Sequence, residues 1–132
     1  MTSRNYIPVR DVMTADIEMI DGLATVADAL ERLRSKQISS LIIDRRDDTD
    51  EYGLLTVRDI AKGVLVPDLS PDRVSAYEIM TKPVLSIDVA MNIRYAVRLL
   101  SRFSLSRALV LENGKAAGIV TLRDMVLRCQ EF

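Results

Sequence analysis

A hydroxyl, a guanidinium and a carboxylate recur at one spacing. Thr56, Arg58 and Asp59 close the run Gly53-Leu54-Leu55-Thr56-Val57-Arg58-Asp59-Ile60, and Thr121, Arg123 and Asp124 close its echo Gly118-Ile119-Val120-Thr121-Leu122-Arg123-Asp124-Met125. Such groups hold a polar partner well but include no activated nucleophile. The sequence has no histidine, which removes the commonest general base and the commonest transition-metal ligand together. Hydrolase triads and zinc sites lose their usual parts, so no catalytic residue and no metal ligand is assigned. Carboxylate-only chemistry would have to draw on residues 44–51, where arginines mixed into the acidic run indicate a solvated hairpin loop. Thr-x-x-Asp also has a purely structural reading, in which each Thr caps a helix and each Asp bonds back, contributing about 1 kcal/mol.

The elements that must position these groups also come in pairs. Asp11-Val12-Met13-Thr14 returns as Glu78-Ile79-Met80-Thr81, 67 residues on from Thr14 to Thr81, whereas Thr56 and Thr121 lie 65 apart. The missing two residues belong in a turn between strands, where length changes cost least. Thr25 with Asp28 forms a capping box for a helix whose Val26, Ala29, Leu30 and Leu33 share one face; Asn92 caps a second, with Ile93, Ala96, Val97 and Leu100. Leu41-Ile42-Ile43 and Ala108-Leu109-Val110-Leu111 read as strands, and Asn113-Gly114 as a hairpin turn. The returning strands run into helices at Thr56 and Thr121, with Val57, Ile60 and Ala61, and Leu122, Met125 and Val126, expected inward. Each repeat is then strand, helix, strand, strand, helix, an α+β arrangement. Repeat one covers about residues 8–66, a short linker 67–74, and repeat two about 75–132, opening on Ser75, which caps the helical turn that follows.

Composition narrows the class. Eighteen basic and nineteen acidic residues give a net charge of −1 with no basic stripe, which argues against a nucleic-acid partner. A lone Cys129 cannot form an internal disulfide, and residues 1–6 lead into no apolar signal region, so a cytoplasmic location is expected. No run approaches the roughly 18 apolar residues of a membrane span.

Two units that each open on Met-Thr and close on Gly-x-x-Thr-x-x-Asp resemble a tandem cystathionine β-synthase (CBS) domain pair, or Bateman module. The resemblance implies two β-α-β-β-α repeats packed with pseudo-twofold symmetry, commonly as a homodimer, and a non-catalytic, energy-sensing type of regulation. It implies that an adenosine-containing ligand binds between the repeats: AMP, ADP or ATP, with S-adenosylmethionine possible, as a regulatory ligand rather than a required cofactor. Asp124 and Asp59 would accept the ribose hydroxyls beside Thr121 and Thr56, since a carboxylate offers two acceptor oxygens to a cis-diol, while the helix N-termini and Arg123 or Arg58 face phosphate. Asp124 would work with residues 14–20 and Asp59 with residues 81–87, Ile17 and Val84 flanking adenine. Positions that often carry a base before the first hairpin strand hold Ser39 and Ser40 in repeat one and Ser106 and Arg107 in repeat two. Arg107 therefore marks the Asp124 site as the tighter for phosphate. The chain departs from the family where Ile42, Leu109 and Asp16 replace common prolines. With no catalytic or transport domain attached, the regulated protein would be reached in trans. The alternative is a ligand-free dimerisation or adaptor module, using Val64-Leu65-Val66 and Met125-Val126-Leu127 as contact surface.

Overall fold

The computed structural model describes residues 6–128; Cys129 lies outside the described residues. The chain divides into two compact units, Glu18–Val84 and Met1–Ile17 with Leu85–Phe132. These are not the two sequence repeats, because the first ten or so residues of repeat one belong with repeat two.

In the unit Glu18–Val84, β1 (Met19–Ile20), α1 (Val26–Lys36), β2 (Ser40–Ile43), β3 (Gly53–Thr56) and α2 (Val57–Ile60) follow in order. The sheet order is β1-β2-β3, with β1 parallel and β3 antiparallel to β2. Thr25 caps α1 through the expected box: its side chain accepts the Asp28 N–H at 3.1 Å, and Asp28 accepts the Thr25 N–H at 3.3 Å. Gln37, left-handed at φ 55°, ends the helix. Val26, Ala29 and Leu33 then meet Leu41, Ile43 and Leu55 of the sheet in one core with Ile60 and Val64. Burying each large side chain of this kind stabilises the fold by about 1.5–3 kcal/mol. The linker closes the same core. Val74 and Ala76 are buried in it, and Val26 donates to the Val74 carbonyl at 2.8 Å while Ala76 and Tyr77 donate back to Ala24 and Gly22. Ser75 sits at the N-cap of the turn Ala76–Glu78, with its N–H donated to Glu78 at 2.7 Å.

The second unit holds β4 (Ser86–Asp88), α3 (Ile93–Arg102), β5 (Arg107–Glu112), β6 (Lys115–Thr121) and α4 (Leu122–Arg128), in sheet order β4-β5-β6. Asn92 caps α3 by accepting the Arg94 N–H at 3.2 Å. Asn113 and Gly114, both at positive φ, form the two-residue turn. Between β2 and β3 the connection runs over nine residues, 44–52, so the length difference does sit in the hairpin. Ile93, Ala96 and Leu100 pack with Val110, Val120 and Met125, and Val9 from the chain's opening segment is fully buried among them.

Two expectations about inward positions need correcting. Val57 and Val126 are 50% and 49% exposed. The buried stripe of α2 is Ile60, continued at Val64 by a wider π-type turn over Ala61–Leu65, which leaves first-turn Val57 off the sheet. In α4 the stripe is Met125, and its neighbour Val126 is rotated about 100° away from it. For the same reason Val64 and Met125, expected on a contact surface, are buried, whereas Leu65, Val66, Val126 and Leu127 are exposed.

Candidate functional site

Each closing motif sits where a strand turns into a helix. In the unit Glu18–Val84, Thr56 ends β3 and caps α2: its hydroxyl accepts the Asp59 N–H at 3.1 Å, and the Asp59 carboxylate accepts the Thr56 N–H at 2.9 Å. Ser40 is the register partner of Thr56, and the Ser39 carbonyl accepts the Val57 N–H at 3.1 Å, so Ser39, Ser40, Thr56 and Asp59 share one end of the sheet. The segment after the linker runs beside β3. Thr81 and Leu54 exchange hydrogen bonds of 2.8 and 2.9 Å, and Val84 donates to Tyr52 at 3.3 Å. Val84 is buried, and Arg58 points to solvent.

In the other unit the arrangement repeats with different parts. Thr121 ends β6 and accepts the Asp124 N–H at 3.0 Å. Arg107, half-buried, is the register partner of Thr121, and the Ser106 carbonyl accepts the Leu122 N–H at 2.8 Å. Thr14 and Ile119 exchange hydrogen bonds of 2.8 and 3.0 Å, which lays residues 14–17, including half-buried Ile17, beside the strand leading to Thr121. One difference is chemical. Among the described residues the Asp124 carboxylate meets only Arg123, at 4.0 Å, and the bond that closes the box at Asp59 has no counterpart. Asp59 is partly spent on its own helix, whereas Asp124 keeps its acceptor oxygens.

The glycine opening each motif has a steric cause. A Cβ on Gly118 would lie 2.7 Å from the Thr14 carbonyl, and one on Gly53 would lie 2.7 Å from the Met80 sulfur. Only a bare backbone lets the neighbouring segment approach this closely.

The loop over residues 44–52 is more organised than a solvated run. Asp50, with its side chain 9% exposed, accepts Lys82 Nζ at 2.8 Å and the Arg46 N–H at 2.9 Å. The Lys82 ammonium, then the Arg46 amide, hold its carboxyl well below the usual carboxylate range. Thr49 lowers Asp47 in the same direction by donating from its hydroxyl at 2.6 Å and its amide at 2.8 Å. Sequence reasoning missed the Asp50–Lys82 pair, because its partners stand 32 positions apart with no shared motif. Among the described residues no cluster of three or more histidine, cysteine or acidic side chains is placed to hold a metal ion, and no helix is long and apolar enough to cross a membrane.

A family profile described as CBS domain matches residues 9–66 and 76–131. An uncharacterized protein of Methanopyrus kandleri is 30% identical over 121 residues, covering 91% of this chain and 61% of its own, so the chain spans less than two thirds of that relative. A hexameric CBS-CP12 protein from bloom-forming cyanobacteria superimposes with a TM-score of 0.89 at 30% identity, over 94% of this chain and 68% of that one. A CBS domain pair solved in complex with 5′-methylthioadenosine and S-adenosyl-L-methionine shares the fold at a TM-score of 0.76 and 22% identity, over 92% of this chain and 94% of its own. Two tandem matches along the sequence, and two three-stranded sheets that each end in a capped Thr-x-Arg-Asp helix, place this chain in the CBS domain family.

Proposed function

We propose that this CBS domain pair, a regulatory module, makes and breaks no bonds but binds an adenosine-containing ligand and signals to a partner protein through a change of conformation. Each site would be built from segments of both repeats: Thr121, Arg123, Asp124, Ser106, Arg107 and Ile17 in one, and Thr56, Arg58, Asp59, Ser39, Ser40 and Val84 in the other. The observation that carries the reading is the Asp124 corner, where a carboxylate that among the described residues meets only Arg123, at 4.0 Å, stands one turn from Thr121 and beside the Thr14 segment. Two acceptor oxygens suit a ribose diol, and the Arg107 guanidinium, across the ladder from Thr121, suits phosphate. AMP, ADP or ATP is favoured over a sulfonium compound on that charge. Binding shifts conformation only by its differential affinity for two arrangements.

Thermal denaturation with AMP, ADP and ATP tests the reading. A ligand at one hundred times its dissociation constant adds about 2.7 kcal/mol if it binds only the folded chain, a rise of several degrees. Asp124→Ala is expected to remove most of that rise and Asp59→Ala less of it. No response to any adenosine compound at millimolar concentration would overturn the proposal. A second reading, a ligand-free dimerisation or adaptor module, is favoured by one observation: Leu65 and Val66, at the end of the π-type turn after α2, and Val126 and Leu127, on α4, are exposed. Light scattering separates the two, since an adaptor would form the same oligomer with or without nucleotide.

A further inference from the structure

The unit Glu18–Val84 also contains a cavity of about 880 Å³, at the end of the sheet opposite Thr56 and Asp59. It opens where β1 and β2 finish, among Ile20, Gly22 and Asp44, and its size falls in the range of small-molecule sites, about 300–1,000 Å³. Part of its wall is apolar and turned outward: Leu23 is 75% and Tyr77 52% exposed, with Met19 and Met80 beside them. The rest carries four cations, Arg32, Arg45, Arg46 and Lys82.

Those cations are held by groups that mostly do not line the cavity. Asp50 binds Lys82 and Arg46 at 2.8 and 3.2 Å. Asp48 approaches Arg45 at 3.9 Å while the Arg45 guanidinium lies over the Tyr52 ring at 4.8 Å. Arg32 is fixed by Glu18 at 3.4 Å and by the Met19 carbonyl at 3.1 Å. An arginine has five donors and a lysine three, so these contacts orient the groups and leave donors over. The two carboxylates that do line the wall are turned to backbone, Asp21 to the Leu23 N–H at 2.8 Å and Asp44 to the Arg45 N–H at 2.7 Å. Preset donors beside an outward-turned apolar wall are the makings of an amphipathic anion site.

We propose that this cavity binds a small organic anion, its apolar or aromatic body against Leu23 and Tyr77 and its oxyanion head, a carboxylate, phosphate or sulfonate, among Arg45, Arg46 and Lys82. The proposal does not rest on the adenosine reading, since the two involve different residues. Amide chemical shifts of the full chain, titrated with 8-anilinonaphthalene-1-sulfonate as the probe and with inorganic phosphate as the head alone, test it. The probe is expected to move Gly22, Leu23, Arg45 and Tyr77 saturably, and to leave Thr121 and Asp124 in place. Arg46→Gln, at a side chain 84% exposed and therefore safe for folding, and Lys82→Gln are each expected to weaken the probe tenfold or more, whereas Asp124→Ala leaves it unchanged. Inorganic phosphate is expected to reach the same residues only at much higher concentration. Non-saturating shifts spread over Leu65, Val66 and Leu127, undiminished affinity in both variants, or phosphate binding as tightly as the probe would each overturn the proposal.

Discussion

Asp59 and Asp124 occupy matching positions and are bonded differently, so their substitutions should part company. Asp59→Ala removes the carboxylate that accepts the Thr56 N–H and is expected to cost about 1 kcal/mol in the ligand-free chain. Asp124→Ala loses no such bond and should barely change the melting temperature without ligand, while carrying the larger loss of nucleotide binding. Denaturation of both variants with and without ATP checks the crossing pattern. Asp50 makes a different claim. Its carboxyl is depressed in the folded chain, so its ionised form stabilises the fold above the unfolded value, about pH 4, and that stabilisation drains away as the pH falls further. Asp50→Asn is therefore expected to lower the melting temperature at pH 7, with the difference from the parent shrinking between about pH 4 and pH 2. The capping residues were legible in the sequence because a cap is a local rule, three positions long; Asp50 was not, because its partner Lys82 arrives from another part of the chain.

At the scale of elements, the glycines that open the two motifs mark where a foreign segment crosses a strand. A methyl group on Gly118 meets the Thr14 carbonyl, which is backbone and hydrogen-bonded to Ile119, whereas on Gly53 the nearest atom is the sulfur of flexible Met80. Gly118→Ala is expected to cost about 1–3 kcal/mol and Gly53→Ala distinctly less, as chemical denaturation would show. The helices, strands and hairpin turn follow from periodicity, caps and Asn113-Gly114, and they stand where those signals put them. Less legible was which side of a short closing helix faces in. Four residues of α2 give little more than one turn for a stripe to declare itself, and the π-type turn after Ile60 alters the phase from which Val64 would be read.

At the scale of the molecule, the sequence repeat and the compact unit are different objects. Residues 8–66 lack Val74 and Ala76, which close the core around Val26, and Thr81, which pairs with Leu54. A fragment of residues 18–84 holds all of them. It is expected to give cooperative thermal unfolding by circular dichroism, and a fragment of residues 8–66 a broad, non-cooperative loss of signal. Repetition revealed the twofold plan of the chain; the exchange of opening segments was expected only through the family resemblance, which set residues 14–20 with Asp124 and 81–87 with Asp59, because pairings such as Thr14 with Ile119 leave no periodic trace.

This interleaving imposes an order on synthesis. The unit Glu18–Val84 is continuous, so its core has every part once residue 84 clears the ribosome, while Val9 and Thr14 must wait for strands that end at Thr121. At roughly 5–20 residues per second, the 37 residues that follow Val84 up to Thr121 leave the opening segment without its partners for roughly 2–7 s. The newborn chain thus passes through a stage in which the unit Glu18–Val84 is finished and the apolar side chains of Ile7, Val9 and Met13 are uncovered, a window in which a chaperone would find its natural target.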